Sequence, residues 1–533
     1  MPAGWLSTIL AAILLMPLAA AAGYNIRDFG ATGDGQTMDT AAIQDAVDAC
    51  TADGGGTVHF PPGTYRCGTV TLKDNVRLHI GHGATLLGTG DADDYAPKED
   101  LPYTVGADDE TSRMHHAILR GDQIEHVAIV GGGVIDANFD HRGGPKPIAL
   151  KRCRFVTIRD VRILNSPSYA LSLLGTDDVL IDGVTILNGY ADGIDPDSCK
   201  NVRISNSRVV TRDDALCLKA SYSLGQPRAC EYITVTNCLL ASVCNGFKLG
   251  TEGIGGFKRI AMSNCIITGY PDNRPAISGI ALESVDGGVL EDVTVSNVTM
   301  RHVRAPIFIR LGNRGMDAGG PVAGRVRNVV VRGVTASRAS YPCNITGIPS
   351  HDVEGVTLSD IRIAFAGSNP RMPADANVPE MMRAYPEAAM WGPLPAYGLY
   401  VRHARDVVLD NLRFTYGDDF WRLTTDIYRD ISWPAEEGMP SHAEPGEAGP
   451  ALVCDNVENL RVTGFDARPC RDGAPLMHFT DVRGAVVDGM APGPGHMLLE
   501  AVGEQTARVH VQAAGTEELV NTADAPEGSV VVK

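Results

Sequence analysis

Short apolar segments recur along the chain at intervals of a few tens of residues. Three of them are Asp178-Val179-Leu180-Ile181, Asn201-Val202-Arg203-Ile204 and Tyr232-Ile233-Thr234-Val235, each with apolar residues at its second and fourth positions. A β-rich unit repeated at this spacing is typical of a solenoid, in which each coil packs only on its two neighbours. The pattern therefore predicts an all-β fold, built as a single parallel β-helix.

Each predicted coil contributes one buried anchor residue, and the anchor spacing indicates where loops leave the coil. Neighbouring anchors are 23 to 53 residues apart, and the shortest gaps flank Val179. The longer gaps predict loops on one face of the solenoid, where such folds build binding walls. Irregular inserts are expected near 365–404 and 418–450. The anchors are Val127, Val156, Val179, Val202, Ile233, Ile260, Val293, Val329, Val356, Val407, Leu460 and Val486.

A short N-terminal unit differs from the coils. Apolar residues within 39–50 recur at helical spacing, and the three glycines 54–56 would end that helix. Residues 57–60 and 69–72 alternate as strands, with 61–63 as the predicted turn between them. A helix at this end would cover the first exposed coil, as the end of a solenoid requires.

The net charge of the chain bears on its binding partners, and its length bears on the number of domains. The 533 residues include 46 Lys and Arg against 64 Asp and Glu, a net charge of -18. Because phosphate backbones attract basic surfaces, this balance argues against nucleic acid as a partner. A solenoid of this length needs no division into several domains. We expect a monomer that uses no cofactor.

The N-terminus carries an export signal in this interpretation. Residues 6–22 form an apolar run rich in Leu, Ile and Ala that ends in four alanines before Gly23. The run predicts a signal peptide over 1–22, a mature domain over 23–533, and a secreted or periplasmic protein. A membrane anchor is the alternative, but the run is shorter than the ~20 residues that a span needs. No membrane partner is expected after cleavage.

Twelve cysteines suit an oxidising compartment. Cys50 with Cys67, and Cys454 with Cys470, are candidate disulfides by proximity in sequence. Cys238 and Cys265 lie in matching Asn-Cys contexts, which favours buried small side chains stacked inside the coil. No paired cysteines have the spacing of a zinc site, and no metal is expected.

Three carboxylates are predicted to converge. Asp192 precedes the pair Asp213-Asp214 by 21 and 22 residues. In a solenoid, residues one repeat apart lie on neighbouring coils, roughly 4.8 Å apart in backbone. Crowded carboxylates repel each other, so the arrangement favours catalysis or a bound cation. The other interpretation is that these aspartates cap turns or bind calcium.

Three segments resemble a known family. The entry segment Tyr24-Asn25-Ile26-Arg27-Asp28-Phe29-Gly30-Ala31 resembles that of pectin-lyase-like right-handed β-helix proteins. The segment from Ala191 to Val202 is similar to the Asn-Thr-Asp segment of the polygalacturonase family, glycoside hydrolase family 28. The segment from Asp213 to Lys219 resembles that family's Asp-Asp segment. The resemblance runs from Tyr24 to at least Arg310 and implies a right-handed coil.

The resemblance also implies an inverting hydrolysis. Asp213 would be the general acid that protonates the leaving oxygen, and Asp192 and Asp214 would hold and activate the attacking water. An inverting pair needs its carboxyl groups about 6.5–9.5 Å apart to admit that water. Crowding would raise the pKa of one aspartate and keep it protonated as the acid. The expected shared groove is open to solvent.

Two departures from the family concern the substrate. Cys244 stands where the family has a histidine, and Ala281 and Glu283 stand where it has Arg-x-Lys, which grips the uronic carboxylate. Losing two cations and gaining an anion predicts poor binding of galacturonate in that subsite. A neutral or deoxy sugar such as rhamnose fits better than plain polygalacturonate. The expected substrate-binding residues are Asp195, Lys219, Cys244, Lys248 and Glu283.

The long insert contains aromatic residues with two possible uses. Tyr385-Pro386-Glu387 and the segment from Trp391 to Gly398 could stack on sugar faces or form the insert's own small core. Loops on the groove face favour a blocked groove and exo action.

Three functions remain open on the sequence. An exported glycoside hydrolase acting on a pectic or related polysaccharide is favoured by the three aspartates. An inactive carbohydrate-binding β-helix is favoured by the missing histidine and Arg-x-Lys. A polysaccharide lyase would use Lys219 or Lys248 as its base near a uronate.

Overall fold

The chain winds into one parallel coil. The computed structural model describes residues 23–315, 322–366, 374–417, 449–468, 474–488, 496–512, 519–522 and 524–533. Within them every pairing between named strands is parallel, and each strand pairs with its counterpart one turn later. The predicted parallel β-helix is confirmed. The predicted signal peptide, most of the second insert and Cys470 lie outside the described residues.

The N-terminal coils contain two short helices, two 3₁₀ turns and ten strands. The helices are α1 Thr40–Ala52 and α2 Asp109–Ser112, and the 3₁₀ turns are Ile26–Phe29 and Ala92–Asp94. The strands are β1 Gly23–Asn25, β2 Asp34–Met38, β3 Gly56–Phe60, β4 Gly63–Cys67, β5 Val70–Thr71, β6 Val76–Ile80, β7 Ala84–Gly88, β8 Ala117–Asp122, β9 Ala128–Val130 and β10 Val134–Asp136.

The central coils hold the candidate site. Their strands are β11 Lys146–Lys151, β12 Arg154–Arg159, β13 Arg162–Leu164, β14 Leu171–Leu174, β15 Asp177–Asp182, β16 Thr185–Gly189, β17 Ile194–Asp197, β18 Lys200–Ser205, β19 Arg208–Thr211, β20 Leu216–Leu218, β21 Cys230–Thr236, β22 Leu239–Ser242, β23 Asn245–Leu249, β24 Phe257–Gly269, β25 Ala276–Ser284, β26 Val289–Arg301 and β27 Val303–Leu311.

The C-terminal coils are longer in sequence and interrupted by the inserts. Their strands are β28 Arg325–Ala339, β29 Cys343–Thr346, β30 Val353–Phe365, β31 Leu399–Tyr416, β32 Leu452–Thr463, β33 Asp466–Ala467, β34 Pro475–Thr480, β35 Val486–Asp488, β36 Met497–Val502, β37 Val509–Gln512, β38 Val520–Asn521 and β39 Val530–Val532. Among the described residues, no helix has the length and apolar character needed to cross a membrane.

The predicted cap is present. Helix α1 buries Ile43, Ala46, Val47 and Cys50 against the first coil, as its helical spacing predicted. The two predicted strands correspond to β3 and β5. The chain bends at residue 62, within the predicted turn, but residues 63–67 then form an additional strand, β4, before β5.

The anchors form a stacked column inside the coil. Positions from Val156 to Val356 pair in register from one coil to the next and are buried. The anchor at Val486 is wrong, because Val486 pairs with Arg461 and the buried residue is Val487. A shift of one residue moves a strand's side chains to the opposite face, so a single misplaced position reverses the prediction.

Asparagines form a second column at a corner of the coil. Asn206, Asn237, Asn264 and Asn297 all have positive φ angles of 53–56°, a region that Asn tolerates better than most residues. The Asn237 amide donates to Asn206 at 3.3 Å, and Asn297 donates to Asn264 at 3.3 Å. The same turn is therefore repeated and hydrogen-bonded from coil to coil.

The cysteines are unpaired in the described residues. Cys50 and Cys67 are free and buried, so the predicted disulfide between them is wrong, and each thiol serves as a small apolar core group. Cys238 and Cys265 stack as predicted, with the Cys238 amide donating to the Cys265 sulfur at 3.4 Å.

The first insert packs on the outside of the coil. Its described part begins at residue 374, and Trp391 contacts Phe308 edge to face, with ring centroids 6.4 Å apart. Trp391 is buried in an apolar cluster separate from the main core. Arg310 stacks on Trp391 at 5.1 Å and donates to the carbonyl oxygens of Gly347, Glu380 and Met381. One buried cation thus fixes the insert to the strands beneath it.

Candidate active site

One sheet of the coil carries the candidate site, and we call it the site sheet. It consists of β11, β14, β17, β20, β23, β25 and β27, which pair in that order. Asp192 lies just before β17, and Asp213 and Asp214 lie just before β20. Because Ile194 pairs with Leu216, the three aspartates fall on adjacent coils. The Asp214 amide donates to Asp192 Oδ1 at 3.2 Å and to Asp213 Oδ1 at 3.0 Å.

A buried lysine gathers three carboxylates on one side of the site. Lys219 Nζ lies 3.4 Å from Asp192, 3.7 Å from Asp195 and 3.2 Å from Glu252. It also lies 5.2 Å from the centroid of the Tyr169 ring. Burial alone would lower the pKa of Lys219, but the surrounding acidic groups raise it well above its usual value. Lys219 is therefore a fixed cation.

A second lysine fixes Asp214 in its ionised form. Lys248 Nζ lies 3.1 Å from Asp214 Oδ2, and the Asn245 side chain donates to Asp214 Oδ1 at 2.7 Å. Burial alone would raise the pKa of Asp214, but the charges of Lys248 and Lys219 outweigh it and lower the pKa. Asp214 is therefore a carboxylate that can accept a proton.

Asp192 and Asp195 are perturbed in the opposite direction. Burial raises the pKa of Asp192 well above its usual value, against the opposing charge of Lys219 and with the help of neighbouring carboxylates. Burial likewise raises the pKa of Asp195 to about 7. The pKa values of Asp192 and Asp214 are thus shifted in opposite directions, and neighbouring carboxyl groups that differ in this way are what acid–base chemistry uses.

Asp213 is the aspartate that faces outward. Its side chain is 23% exposed, and its Oδ2 lies 2.6 Å from Arg142 Nη1. Arg142 also pairs with Glu110, so one arginine connects Asp213 to a distant segment of the chain. The sequence predicted that all three aspartates would be open to solvent. That prediction is wrong for the other two, since Asp192 is 2% and Asp214 3% exposed. Both buried carboxyl groups have a lysine beside them, Lys219 at 3.4 Å from Asp192 and Lys248 at 3.1 Å from Asp214.

Cys244 lies within the cluster. Its sulfur and one oxygen each of Asp213 and Asp214 are within 4.8 Å of one another. Burial raises the pKa of the Cys244 thiol well above its usual value, with the nearby aspartates adding to the effect. A neutral thiol therefore stands where the family's histidine is expected, and it supplies no cation.

Glu283 is close to Lys248 but behaves as a neutral acid. It is buried, its Oε2 has no hydrogen-bond partner, and burial raises its pKa to about 8 despite the charge of Lys248. Burial thus opposes the added negative charge that the sequence predicted at Glu283. At the position of the family's arginine the chain has Ala281, which is buried and pairs in register with Lys248 and Phe308, so no cation is present at that position.

Several site residues were not found from the sequence. Arg142 lies in an irregular segment and Glu110 in the four-residue helix α2, and neither has a periodic signal. Tyr169 precedes Asp192 by one 23-residue repeat, so the register could have identified it. Tyr385 was noted, and its half-exposed ring lies over Lys248 Nζ at 5.5 Å. Thus Tyr385 reaches the site, whereas Trp391 belongs to the insert's own core.

Glu283→Gln is expected to make stability less dependent on pH. The pKa of Glu283 is about 8 in the fold against 4.5 ordinarily, so the folded state holds an extra proton between these values. Wild-type stability should therefore fall as pH rises through that window, because a charge must be formed in a buried place. Gln keeps the neutral shape, so urea unfolding should show the variant more stable than wild type at pH 8, by up to a few kcal/mol.

At pH 4.5 the two proteins should be equally stable. A residual slope will persist in the variant, because the pKa values of Asp192 and Asp195 are raised too. Identical pH dependence in both proteins would show that Glu283 carries its charge in the fold.

Fold and site together define a β-helical enzyme whose clustered carboxylates suit glycoside hydrolysis. The chain belongs to the family described as Glycosyl hydrolases family 28, whose sequence profile matches residues 50–382. It is 27% identical over 377 residues to a probable polygalacturonase of Vitis vinifera, across 65% of this chain and 75% of that protein. It is 25% identical over 398 residues to an exo-poly-alpha-D-galacturonosidase of Dickeya chrysanthemi, across 62% and 65% of the two chains.

Two solved structures share the fold. A family 28 exopolygalacturonase of Yersinia enterocolitica superposes with a TM-score of 0.62 at 17% identity, covering 89% of this chain and 79% of that one. A hyperthermoactive exopolygalacturonase of Thermotoga maritima gives 0.59 at 22% identity, covering 74% and 92%. The expected right-handed parallel β-helix is confirmed.

Proposed function

We propose that this protein hydrolyses glycosidic bonds in a pectic or related polysaccharide. The observation that carries the proposal is the convergence of three aspartates on adjacent coils of a family 28 β-helix. Asp214 lies 3.1 Å from Lys248, Asp192 accepts a hydrogen bond from the Asp214 amide, and Asp213 is outermost. Asp213 is the general acid. Asp214, held ionised by Lys248, accepts the proton of the attacking water, and Asp192 positions that water.

The geometry is compatible with one water serving the three groups. Asp192 Oδ1 and Asp213 Oδ1 each lie within 3.2 Å of the Asp214 amide nitrogen, so they are about 6 Å apart or less. This separation is shorter than the about 6.5–9.5 Å of inverting carboxyl pairs, so the inverting outcome is proposed from the resemblance to family 28. Arg142 occupies Asp213 Oδ2, so substrate must displace Arg142 before that oxygen can reach the glycosidic bond. Proton NMR of the first-formed anomer tests the inverting outcome.

The sugar beside Ala281 and Glu283 is neutral or deoxy in this proposal. A protonated Glu283 can both donate and accept a hydrogen bond, which suits a sugar hydroxyl better than a carboxylate. Exo action is supported by the insert that carries Tyr385 over the site and by the exo-acting relative from Dickeya chrysanthemi. Export is supported by the apolar run at 6–22.

The two lysines favour a hydrolase over a lyase. A lyase base must be neutral to take a proton, but the carboxylates around Lys219 and Lys248 raise the pKa of both ammonium groups. Both lysines therefore hold their charge.

A panel of pectic fractions tests the function. Purified protein should release sugars from a fraction containing rhamnose, with much lower rates on plain polygalacturonate, when products are identified by mass spectrometry. The products should lack the ultraviolet absorbance of a new double bond. Efficient digestion of polygalacturonate would contradict the sugar preference, and ultraviolet-absorbing products would contradict hydrolysis.

A further inference from the structure

Both oxygens of the proposed general acid are engaged in this structure. Asp213 Oδ1 accepts from the Asp214 amide at 3.0 Å, and Asp213 Oδ2 accepts from Arg142 Nη1 at 2.6 Å. A general acid needs a proton on the oxygen that faces the glycosidic bond. A guanidinium has donors only, so an oxygen this close to one serves as a hydrogen-bond acceptor. While Arg142 is bound to it, Asp213 Oδ2 therefore cannot protonate a leaving group.

Glu110 gives Arg142 a second place to bind. Glu110 Oε2 accepts from Arg142 Nε at 3.0 Å and from Arg142 Nη2 as well. Glu110 thus holds one edge of the guanidinium, and Asp213 holds the remaining nitrogen. If the bond to Asp213 breaks, both bonds to Glu110 can persist. The arginine then keeps an anionic partner after it has released Asp213.

The backbone next to Arg142 is fixed, so the change is confined to the side chain. The Gly143 amide donates to the carbonyl oxygen of Pro167 at 2.8 Å. Gly144 lies so close to Pro167 that an added Cβ would come within 2.8 Å of the proline side chain. The Arg142 side chain is 47% exposed, against 23% for Asp213. Rotation of this side chain into solvent, without loop movement, can therefore uncover Asp213 Oδ2.

We propose that Arg142 is an autoinhibitory latch on Asp213, and that Glu110 holds the arginine when the latch is open. In the closed form, which this structure shows, Arg142 covers the oxygen that must donate the proton. When a sugar enters, Arg142 leaves Asp213 and keeps Glu110, and Asp213 takes up from solvent the proton that it later donates. The inference rests on the proposed function. Arg142 and Glu110 are positioning residues in it, because they act through Asp213.

The first test is a double-mutant cycle, with kcat/KM measured on an oligosaccharide from the pectic fraction that the enzyme cleaves. Arg142→Gln should raise kcat/KM roughly two- to fivefold, the range that partly exposed ion pairs contribute, because the free enzyme no longer has to break this contact. Glu110→Gln should lower kcat/KM by a similar factor, since Arg142 then has only Asp213 to bind. The double variant should match Arg142→Gln, because Glu110 acts only through the arginine.

The sign of the change separates the latch from other roles of Arg142. If Arg142 bound substrate, or held Asp213 in its productive position, Arg142→Gln would lower kcat/KM or kcat. Either result would overturn the inference, and so would an unchanged kcat/KM. Arg327→Gln is the matched control, because Arg327 is 49% exposed and binds Glu291 Oε2 through Nε and Nη2, as Arg142 binds Glu110. It should leave kcat/KM unchanged.

A second test does not depend on hydrolysis. A water-soluble carbodiimide activates exposed carboxyl groups, and an added amine converts them to amides. Peptide mass spectrometry follows the rate of this modification at Asp213, with the exposed Asp488 as internal reference. Asp213 should be modified faster in Arg142→Gln than in the wild type, and more slowly in Glu110→Gln. Equal rates at Asp213 in the three proteins would overturn the latch.

The two proposals fail separately. Faster modification of Asp213 in Arg142→Gln, in a protein that hydrolyses no pectic fraction, would sustain the latch and reject the reaction. Hydrolysis by the wild type, with kcat/KM and the modification rate unchanged in both variants, would reject the latch alone.

Discussion

Asp213→Asn is expected to lower kcat on a natural pectic oligosaccharide roughly 10²–10⁴-fold, the usual contribution of a general acid. Asn has nearly the same size, so the fold should be unaffected, but it donates no proton to the leaving oxygen. An aryl glycoside with a very good leaving group needs no proton on departure, so its kcat should fall far less. Steady-state rates on both substrates measure this difference.

The matched control is Asp488→Asn, which changes an exposed aspartate on a distant C-terminal coil. It should leave both rates unchanged. Equal losses on the two substrates in Asp213→Asn would show that Asp213 is not the acid. An unchanged rate on both would show that Asp213 takes no part in the reaction.

Asp214→Asn is expected to lower the rates on both substrates alike, again by roughly 10²–10⁴-fold, because activation of water is needed whatever the leaving group. This variant should also be destabilised, since Lys248 becomes a buried cation without its carboxylate. Breaking such a pair costs about 3–5 kcal/mol. Activity should therefore be assayed well below the melting temperature, which calorimetry provides.

Asp192→Asn separates the catalytic effect from the structural one. Lys219, which pairs with Asp192, keeps Asp195 and Glu252 as partners when Asp192 becomes Asn, so this variant should lose less stability than Asp214→Asn. The rates on both substrates should still fall, because Asp192 helps to hold the water. A loss of stability in Asp192→Asn equal to that of Asp214→Asn would contradict this difference between the partners of Lys219 and Lys248.

The repeats were predictable because the coil imposes strict spacing on its core. Val179 and Val202 are 23 residues apart in sequence and stack directly in the structure. That regularity weakens where loops intervene, and the anchor at Val486 is displaced by one residue. Sequence periodicity thus describes the coil only as far as neighbouring coils have similar lengths.

The site residues on or next to the strands could be predicted from the sequence, whereas those contributed by distant segments could not. Asp192, Asp213, Asp214, Lys219 and Lys248 follow from the repeat and the family resemblance. Arg142 and Tyr385 come from segments 71 residues before Asp213 and 137 residues after Lys248. No local pattern specifies such contacts. The charge of Glu283 also escaped prediction, because burial sets its protonation state and burial is a property of the folded chain.

The attachment of the insert has a consequence for biosynthesis. Arg310 donates to the carbonyl oxygens of Glu380 and Met381, and Tyr385, a few residues further along the insert, lies over Lys248. Chains emerge from the ribosome N-terminus first, and stacked coils can form as they appear. A nascent chain that ends before the insert would already hold its aspartates together but lack their cover. The enzyme therefore becomes complete late in its own translation, after most of its coils exist.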